Sequence, residues 1–207
     1  MILNIEVDYD SGLDISDSYY TKHMDLYSLI LESKKGSILA QRYIYDRFSD
    51  KMFVLCRRYV GPDVVAEEIM MEGFLKIFQS LEKFVHLDDR TTIAWMKKIM
   101  INRCLFHLRQ STSYLEIVTN QISDQEVEEE AISGLTAKEI YSYIIQLPDG
   151  YRTVFNLFEF EQVDHKEIAR LLGIKLPTCY SQLRKAKQML ITMIVKNNKD
   201  YENRIKK

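Results

Sequence analysis

A chain of 207 residues is long enough for one ordinary domain or two small ones, and a hydrophobic content of 46% is that of a globular protein that buries real cores. Its 28 basic side chains nearly balance 30 acidic ones, and the net charge of −2 excludes a bulk electrostatic pull toward nucleic acid. Any such attraction has to come from local segregation of charge.

Three widely spaced cysteines, Cys56, Cys104 and Cys179, argue against a disulfide framework and suit a reducing compartment. The opening "MILNIEVDYDSGLDISDSYY" carries acids where a secretory signal needs basic charge before an apolar run. No later stretch reaches the roughly 18 apolar residues of a membrane span, so no membrane insertion and a cytoplasmic location are expected.

Seven glycines and three prolines punctuate the chain, and apolar residues recur at helical rather than alternating spacing, which predicts an all-α fold. Residues 1–22 read as an acidic extension. In "SILAQRYIYDRFSDKMFVLCRRYV", Ile44, Phe48, Met52, Leu55 and Tyr59 form one apolar stripe of a long helix that stops at Gly61-Pro62. The next helix, "DVVAEEIMMEGFLKIFQSLEKF", repeats the pattern with Met70, Phe74, Ile77, Leu81 and Phe84, so the two can pack as an antiparallel pair. A third helix, near residues 92–109, has Ile93, Met96, Met100 and Cys104 on one side and Trp95, Lys98, Asn102 and Arg109 on the other. Apolar residues also lie between these faces, which predicts a helix largely surrounded by neighbours.

Between residues 111 and 134 the periodicity fades and "SDQEVEEEAISG" brings a run of acids. That is longer than the ~12–15 structureless residues usual inside a compact domain, so it reads as a flexible acidic linker. Two small helical domains are therefore expected, over residues 23–110 and 135–196, followed by a basic tail at 197–207. In the second, Thr136 and Glu139 form a capping box, Leu147-Pro148 closes the first helix, and "YRTVFNLFEF" is a short apolar-faced helix. Asp164 and Glu167 make another capping box, Gly173 ends that helix, and Pro177 suits the first turn of a last long one, giving four helices.

In the last helix Cys179, Leu183, Ala186, Leu190 and Met193 define the buried side. Thr178, Ser181, Lys185 and Gln188 lie nearly opposite, with Gln182 and Arg184 on the flanks. A capped helix bearing the small residue Ala169, a glycine turn and then this helix form a helix-turn-helix pattern, whose second helix enters a DNA major groove. A solvated basic face is the bland alternative. The stretch from Lys97 to Arg109 is likewise free of acids and sets Lys98, Arg103 and Arg109 beside Trp95, a combination suited to stacking on a single strand. Cys104 and His107 are three apart but have no second ligand pair, so no metal site is expected, and no motif asks for a cofactor or for catalysis.

The blocks "AEEIMMEGFLKIFQSLEKF", "AWMKKIMINRCLFHLRQ", "LPDGYRTVFNLFEFEQVDHKEIARLLGI" and "SQLRKAKQML" together resemble an extracytoplasmic-function RNA polymerase sigma factor of bacteria, over about residues 24 to 195 and in the correct order. The resemblance implies that the N-terminal domain is region 2, which binds core RNA polymerase and opens the minus-10 promoter element. It implies that the C-terminal domain is region 4, which reads the minus-35 element.

By position, Glu67, Glu68, Met71 and Glu72 fall in the polymerase-binding helix, and Trp95, Lys98, Asn102 and Arg109 where the non-template strand is captured. Lys175, Thr178, Tyr180, Ser181, Gln182, Arg184 and Lys185 fall on the duplex-reading helix. The implied partners are core polymerase, promoter DNA and an anti-sigma factor, and the resemblance gives the acidic linker a place in a polymerase channel that otherwise holds nucleic acid. The chain departs from the family pattern at Met71, Phe106 and Leu176-Pro177. Two other readings fit parts of the sequence: a polymerase-independent helix-turn-helix regulator, and an interaction module that titrates partners without binding DNA.

Overall fold

The computed structural model describes residues 24–110 and 137–197; the acidic extension, the linker, Thr136 of the first capping box and the tail beyond Asn197 lie outside the described residues. Every regular element among the described residues is helical.

Helix α1 (Leu26–Lys34), which periodicity did not single out, starts where the Asp25 carboxylate accepts the Ser28 amide at 2.8 Å. Helix α2 (Ile38–Val60) starts on the Ser37 hydroxyl and buries the whole expected stripe from Ile44 to Tyr59. It ends as expected: Gly61, at φ 89°, turns the chain through a conformation that glycine adopts without strain. Pro62 then opens α3 (Asp63–Ser80).

Helix α3 buries Met70, Phe74 and Ile77, and a 3-10 turn at Leu81–Lys83 follows, so Phe84 lies outside the helix expected to contain it. Helix α4 (Asp89–Gln110) starts on Asp88, whose carboxylate accepts the Thr91 amide at 2.6 Å. It buries Met96, Met100 and Cys104 as expected, but it is not surrounded: Lys97, Lys98, Asn102, Phe106 and Arg109 stay exposed. Helices α3 and α4 cross closely at Gly73, where an added Cβ would lie within 2.1 Å of the Met100 sulfur.

The C-terminal half has the four expected helices, α5 (Ala137–Ile144), α6 (Asp149–Phe155), α7 (His165–Leu172) and α8 (Leu176–Asn197). Helix α6 widens into a π-turn over Asn156–Phe160, and the chain leaves it through Gln162 at φ 57°. It is buried on more than an apolar face, for Arg152, Thr153 and Asn156 are also out of solvent. Asp164 caps α7 by accepting the Glu167 amide at 2.9 Å, but the capping box is only half formed, because the Glu167 carboxylate turns to Arg170 instead.

The two halves, expected as domains on a flexible tether, pack against each other. Val154, Leu157, Ile168, Leu172, Cys179 and Leu183 join the core built by α1 to α4, while Ile144, Leu147, Tyr151, Ala186 and Leu190 form a second cluster.

The polar part of this interface is built on the C-terminal end of α2, where a helix leaves carbonyls without intrahelical partners. Arg152 Nε donates to the Tyr59 carbonyl at 2.8 Å and Asn156 Nδ2 to the Arg58 carbonyl at 2.8 Å. Arg58 itself pairs with Glu161 and lies 3.9 Å from the Phe160 ring centre. Further along α2, the Tyr141 hydroxyl donates to the Val54 carbonyl at 2.7 Å.

Leu183 sits where this shared core meets α8, 7% exposed. Leu183→Ala is therefore expected to lower stability by about 2–5 kcal/mol in chemical denaturation. An unchanged midpoint would show that α8 is rotated away from the core.

Candidate nucleic-acid and protein interfaces

Helix α3 presents an outward face opposite the stripe that packs on α2. Glu67, Glu68, Met71 and Glu72 are all exposed there, with Val64 and Leu75 on the same side. The residues Val64, Glu68, Met71 and Leu75 step by four, three and four, so three apolar groups and the Glu68 carboxylate share one ridge. The ridge is tied to its neighbours. Glu72 pairs with Arg103 of α4, and the Tyr45 hydroxyl lies 3.6 Å from the Met71 sulfur. Exposed hydrophobics flanked by carboxylates on a rigid helix suit a protein partner.

The second surface is the loop 84–88 with the start of α4. The Lys34 ammonium donates to the Phe84 carbonyl at 2.5 Å, and His86 Nδ1 lies 2.7 Å from the Thr92 hydroxyl, so the base of the loop is fixed. Its tips are free: Val85 and Leu87 are 70% and 74% exposed. Trp95 is not a bare platform. It is half-buried, and one face of its indole stacks on Phe84 with ring centres 4.0 Å apart and planes 19° off parallel.

Lys98 and Asn102 stand exposed one and two turns further on. Arg109, at the far end of the same helix, donates to the Leu171 carbonyl of α7 at 2.6 Å, so the four residues expected as one stripe are split between solvent and the other half of the chain. The α7 side also carries Glu167, whose carboxyl is held below its ordinary range mainly by Arg170 and additionally by Lys98.

The third surface is the α7–α8 pair. Gly173 adopts the left-handed conformation at φ 67°, and the Ile174 amide reaches back to the Ala169 carbonyl at 3.0 Å, which makes the turn tight. Helix α8 then starts with Leu176 and Pro177 in its first turn, and the Cys179 amide donates to the Lys175 carbonyl at 3.1 Å. Lys175, Tyr180 and Arg184 are exposed, while Thr178, Ser181 and Lys185 are half-exposed.

Gln182 corrects the expected flank position: it is 8% exposed, because it lies three residues after Cys179 and four before Ala186, on the inward arc of the helix. His165, which the sequence reading passed over, is sandwiched between Phe158 and Tyr180, with centroid separations of 4.5 and 4.1 Å, and its Nδ1 lies 3.4 Å from the Cys179 sulfur. It links the first residue of α7 to the outward face of α8. A histidine directly after an N-cap aspartate was the available signal.

Trp95 is the chain's one tryptophan, so its fluorescence reports this stack alone. Phe84→Ala is expected to shift its emission to longer wavelength as water reaches the uncovered indole face. An unchanged spectrum would mean that Phe84 does not shield it.

Two family models match the chain over the stretches that carry these surfaces. The family model described as Sigma-70 region 2 matches residues 44–114, and the one described as Sigma-70, region 4 matches residues 137–190. The chain is 26% identical over 174 residues to the ECF RNA polymerase sigma factor SigW of Bacillus subtilis, a match covering 78% of this chain and 92% of that protein. It is 20% identical over 176 residues to the ECF RNA polymerase sigma-E factor of Haemophilus influenzae, covering 79% of this chain and 92% of the relative. Among solved structures it is similar to CnrH in complex with the cytosolic domain of CnrY, with a TM-score of 0.44 and 16% identity over 83% of this chain and 97% of that one.

With region 2 carried by α2–α4 and region 4 by the four C-terminal helices, in that order, the chain belongs to the extracytoplasmic-function sigma factors.

Proposed function

We propose that the three surfaces divide the work of transcription initiation. The ridge of α3, with Glu67, Glu68, Met71 and Glu72, docks on core RNA polymerase. The loop 84–88 and α4, with Trp95, Lys98, Asn102 and Arg109, hold the non-template strand of the minus-10 element. Helix α8 reads the minus-35 element as duplex through Lys175, Thr178, Tyr180, Ser181, Arg184 and Lys185.

The observation that carries this reading is the exposed rim of α8. Tyr180 and Arg184 face solvent on a helix entered through a tight glycine turn, in the same chain as a region-2 helix with exposed basic and amide side chains. Arginine and hydroxyl groups hydrogen-bond base edges and phosphates of a duplex, whereas separated strands are held by stacking and by cations along the backbone. The polypeptide is a binding subunit with no catalytic step of its own, works in the cytoplasm beside the polymerase, and has an anti-sigma factor as the further partner its family implies. Gln182, being buried, acts as packing beneath the duplex-reading face rather than as a base contact.

A polymerase-independent regulator is disfavoured by the net charge of −2, which supplies little nonspecific attraction for DNA. A gel shift without core enzyme separates the two readings, and strong sequence-specific duplex binding by the chain alone would favour the regulator.

Within the proposed reading, Arg184→Ala or Lys185→Ala is expected to cost about 1–3 kcal/mol in minus-35-dependent initiation if a base contact is lost, and to leave core binding unchanged. Run-off transcription and a core-binding titration on the same variants provide the check. Equal loss in both measurements would place these side chains in the polymerase interface instead.

A further inference from the structure

Three aromatic rings from three elements stack one on the next in the C-terminal half. Phe158 comes from the π-turn after α6, His165 is the first residue of α7, and Tyr180 stands early in α8. The His165 ring lies nearly flat on Phe158, with centroids 4.5 Å apart and planes 21° off parallel, and it meets the Tyr180 ring at 4.1 Å and 45°. Both are close aromatic contacts.

The inner end of this column is fixed. Phe158 packs against the shared core, and His165 Nδ1 lies 3.4 Å from the sulfur of the fully buried Cys179. The π-turn is tied to α8 by the Lys187 ammonium, 3.0 Å from the Glu159 carboxylate. Asp164 caps α7 on the Glu167 amide, so the backbone that carries His165 is set as well. The outer end is open: Tyr180 is 53% exposed, and Arg184, read above as a duplex contact, stands one turn further along the same side of α8.

An exposed side chain samples several rotamers, and a docking event that selects one of them costs entropy. A ring that already leans on an anchored imidazole has lost that freedom before it binds. Tyrosine offers a duplex an apolar ring edge, which suits a thymine methyl, and a hydroxyl that donates or accepts. The direction in which the ring is held therefore decides which base-pair edge it fits.

We propose that His165 is a positioning residue for promoter choice: it holds the Tyr180 ring toward the minus-35 duplex and, acting through it, sets the base preference where that ring lands. The proposal rests on the duplex-reading role of α8 given above. It adds a residue of α7 to the determinants of specificity, one that the helix-turn-helix pattern alone does not mark.

The test uses the full chain with core RNA polymerase and a promoter that it serves, in versions with each minus-35 base pair changed in turn, and reads the run-off transcript from each. Preference is a ratio between templates within one preparation, so a variant that folds less completely lowers every template and leaves the ratios alone. Tyr180→Ala should flatten the preference at one or two adjacent base pairs. His165→Ala should flatten it at the same pairs, by roughly two- to tenfold, the size of a lost aromatic contact. The two substitutions together should flatten it no further than Tyr180→Ala alone, because one acts through the other. His165→Phe, which keeps the stack and gives up the Cys179 contact, should retain the parent preference.

Unchanged ratios in His165→Ala or in Tyr180→Ala, additive effects of the two, or a loss in His165→Phe as large as in His165→Ala would each overturn the positioning role. The reading of α8 is decided separately by Arg184→Ala: changed ratios there keep the duplex-reading helix even where the His165 role falls, and unchanged ratios in both Arg184→Ala and Tyr180→Ala remove the two together.

Discussion

The carbonyls at the end of α2 are the constraint around which the two halves are arranged. A helix terminus of this kind leaves polar groups that cost about 1–3 kcal/mol each when buried without a partner. Here the donors come from α6, with Arg152 on the Tyr59 carbonyl and Asn156 on that of Arg58. Gly61 makes the turn after this terminus possible, taking the chain through φ 89°, a backbone conformation that other residues rarely adopt. Burial lowers the pKa of Arg152, and Asp149 opposes that shift, so the cation is held charged where the helix dipole favours it.

From that junction the other surfaces take their positions. Helix α2 is the element on which α1, α3, α4 and α6 all pack, so the outward ridge of α3 and the basic side of α4 are referred to one rigid axis. Region 4 is set by the same axis through the bonds of Arg152 and Asn156 to its last carbonyls. The near-neutral charge of the chain is consistent with this economy of attraction. Cations occur in acid-free stretches of α4 and α8, and one of the α4 set, Arg109, is answered internally by the Leu171 carbonyl. A weak intrinsic pull toward DNA leaves specificity to the assembly with polymerase.

The helices themselves were legible in the sequence because their information is local. The α2 stripe, the glycine stops at Gly61 and Gly173, and the Asp164 cap each follow from the spacing or chemistry of neighbouring residues, and the helix-turn-helix was read from the same signals. What escaped depends on contacts across long stretches of chain. Arg152 was read as part of an apolar-faced helix, yet its Tyr59 acceptor lies 93 residues earlier. Gln182 was assigned to a flank of the helix, but it lies between Cys179 and Ala186 on the inward arc and is buried. Trp95 was read as a stacking surface for a single strand, yet Phe84 covers one indole face. Phe84 in turn left its expected helix for a 3-10 turn and a loop, a boundary that periodicity does not mark.

The central claim, that this chain confers promoter choice on a polymerase, is tested most directly by transcription in vitro. Core enzyme from the same host, with and without the purified chain, is given sheared genomic DNA, and the 5′ ends of the transcripts are sequenced. New start sites should appear only with the chain, preceded by two shared elements at a constant spacing that matches a region-2 and a region-4 contact. The same start sites with and without the chain would contradict the claim.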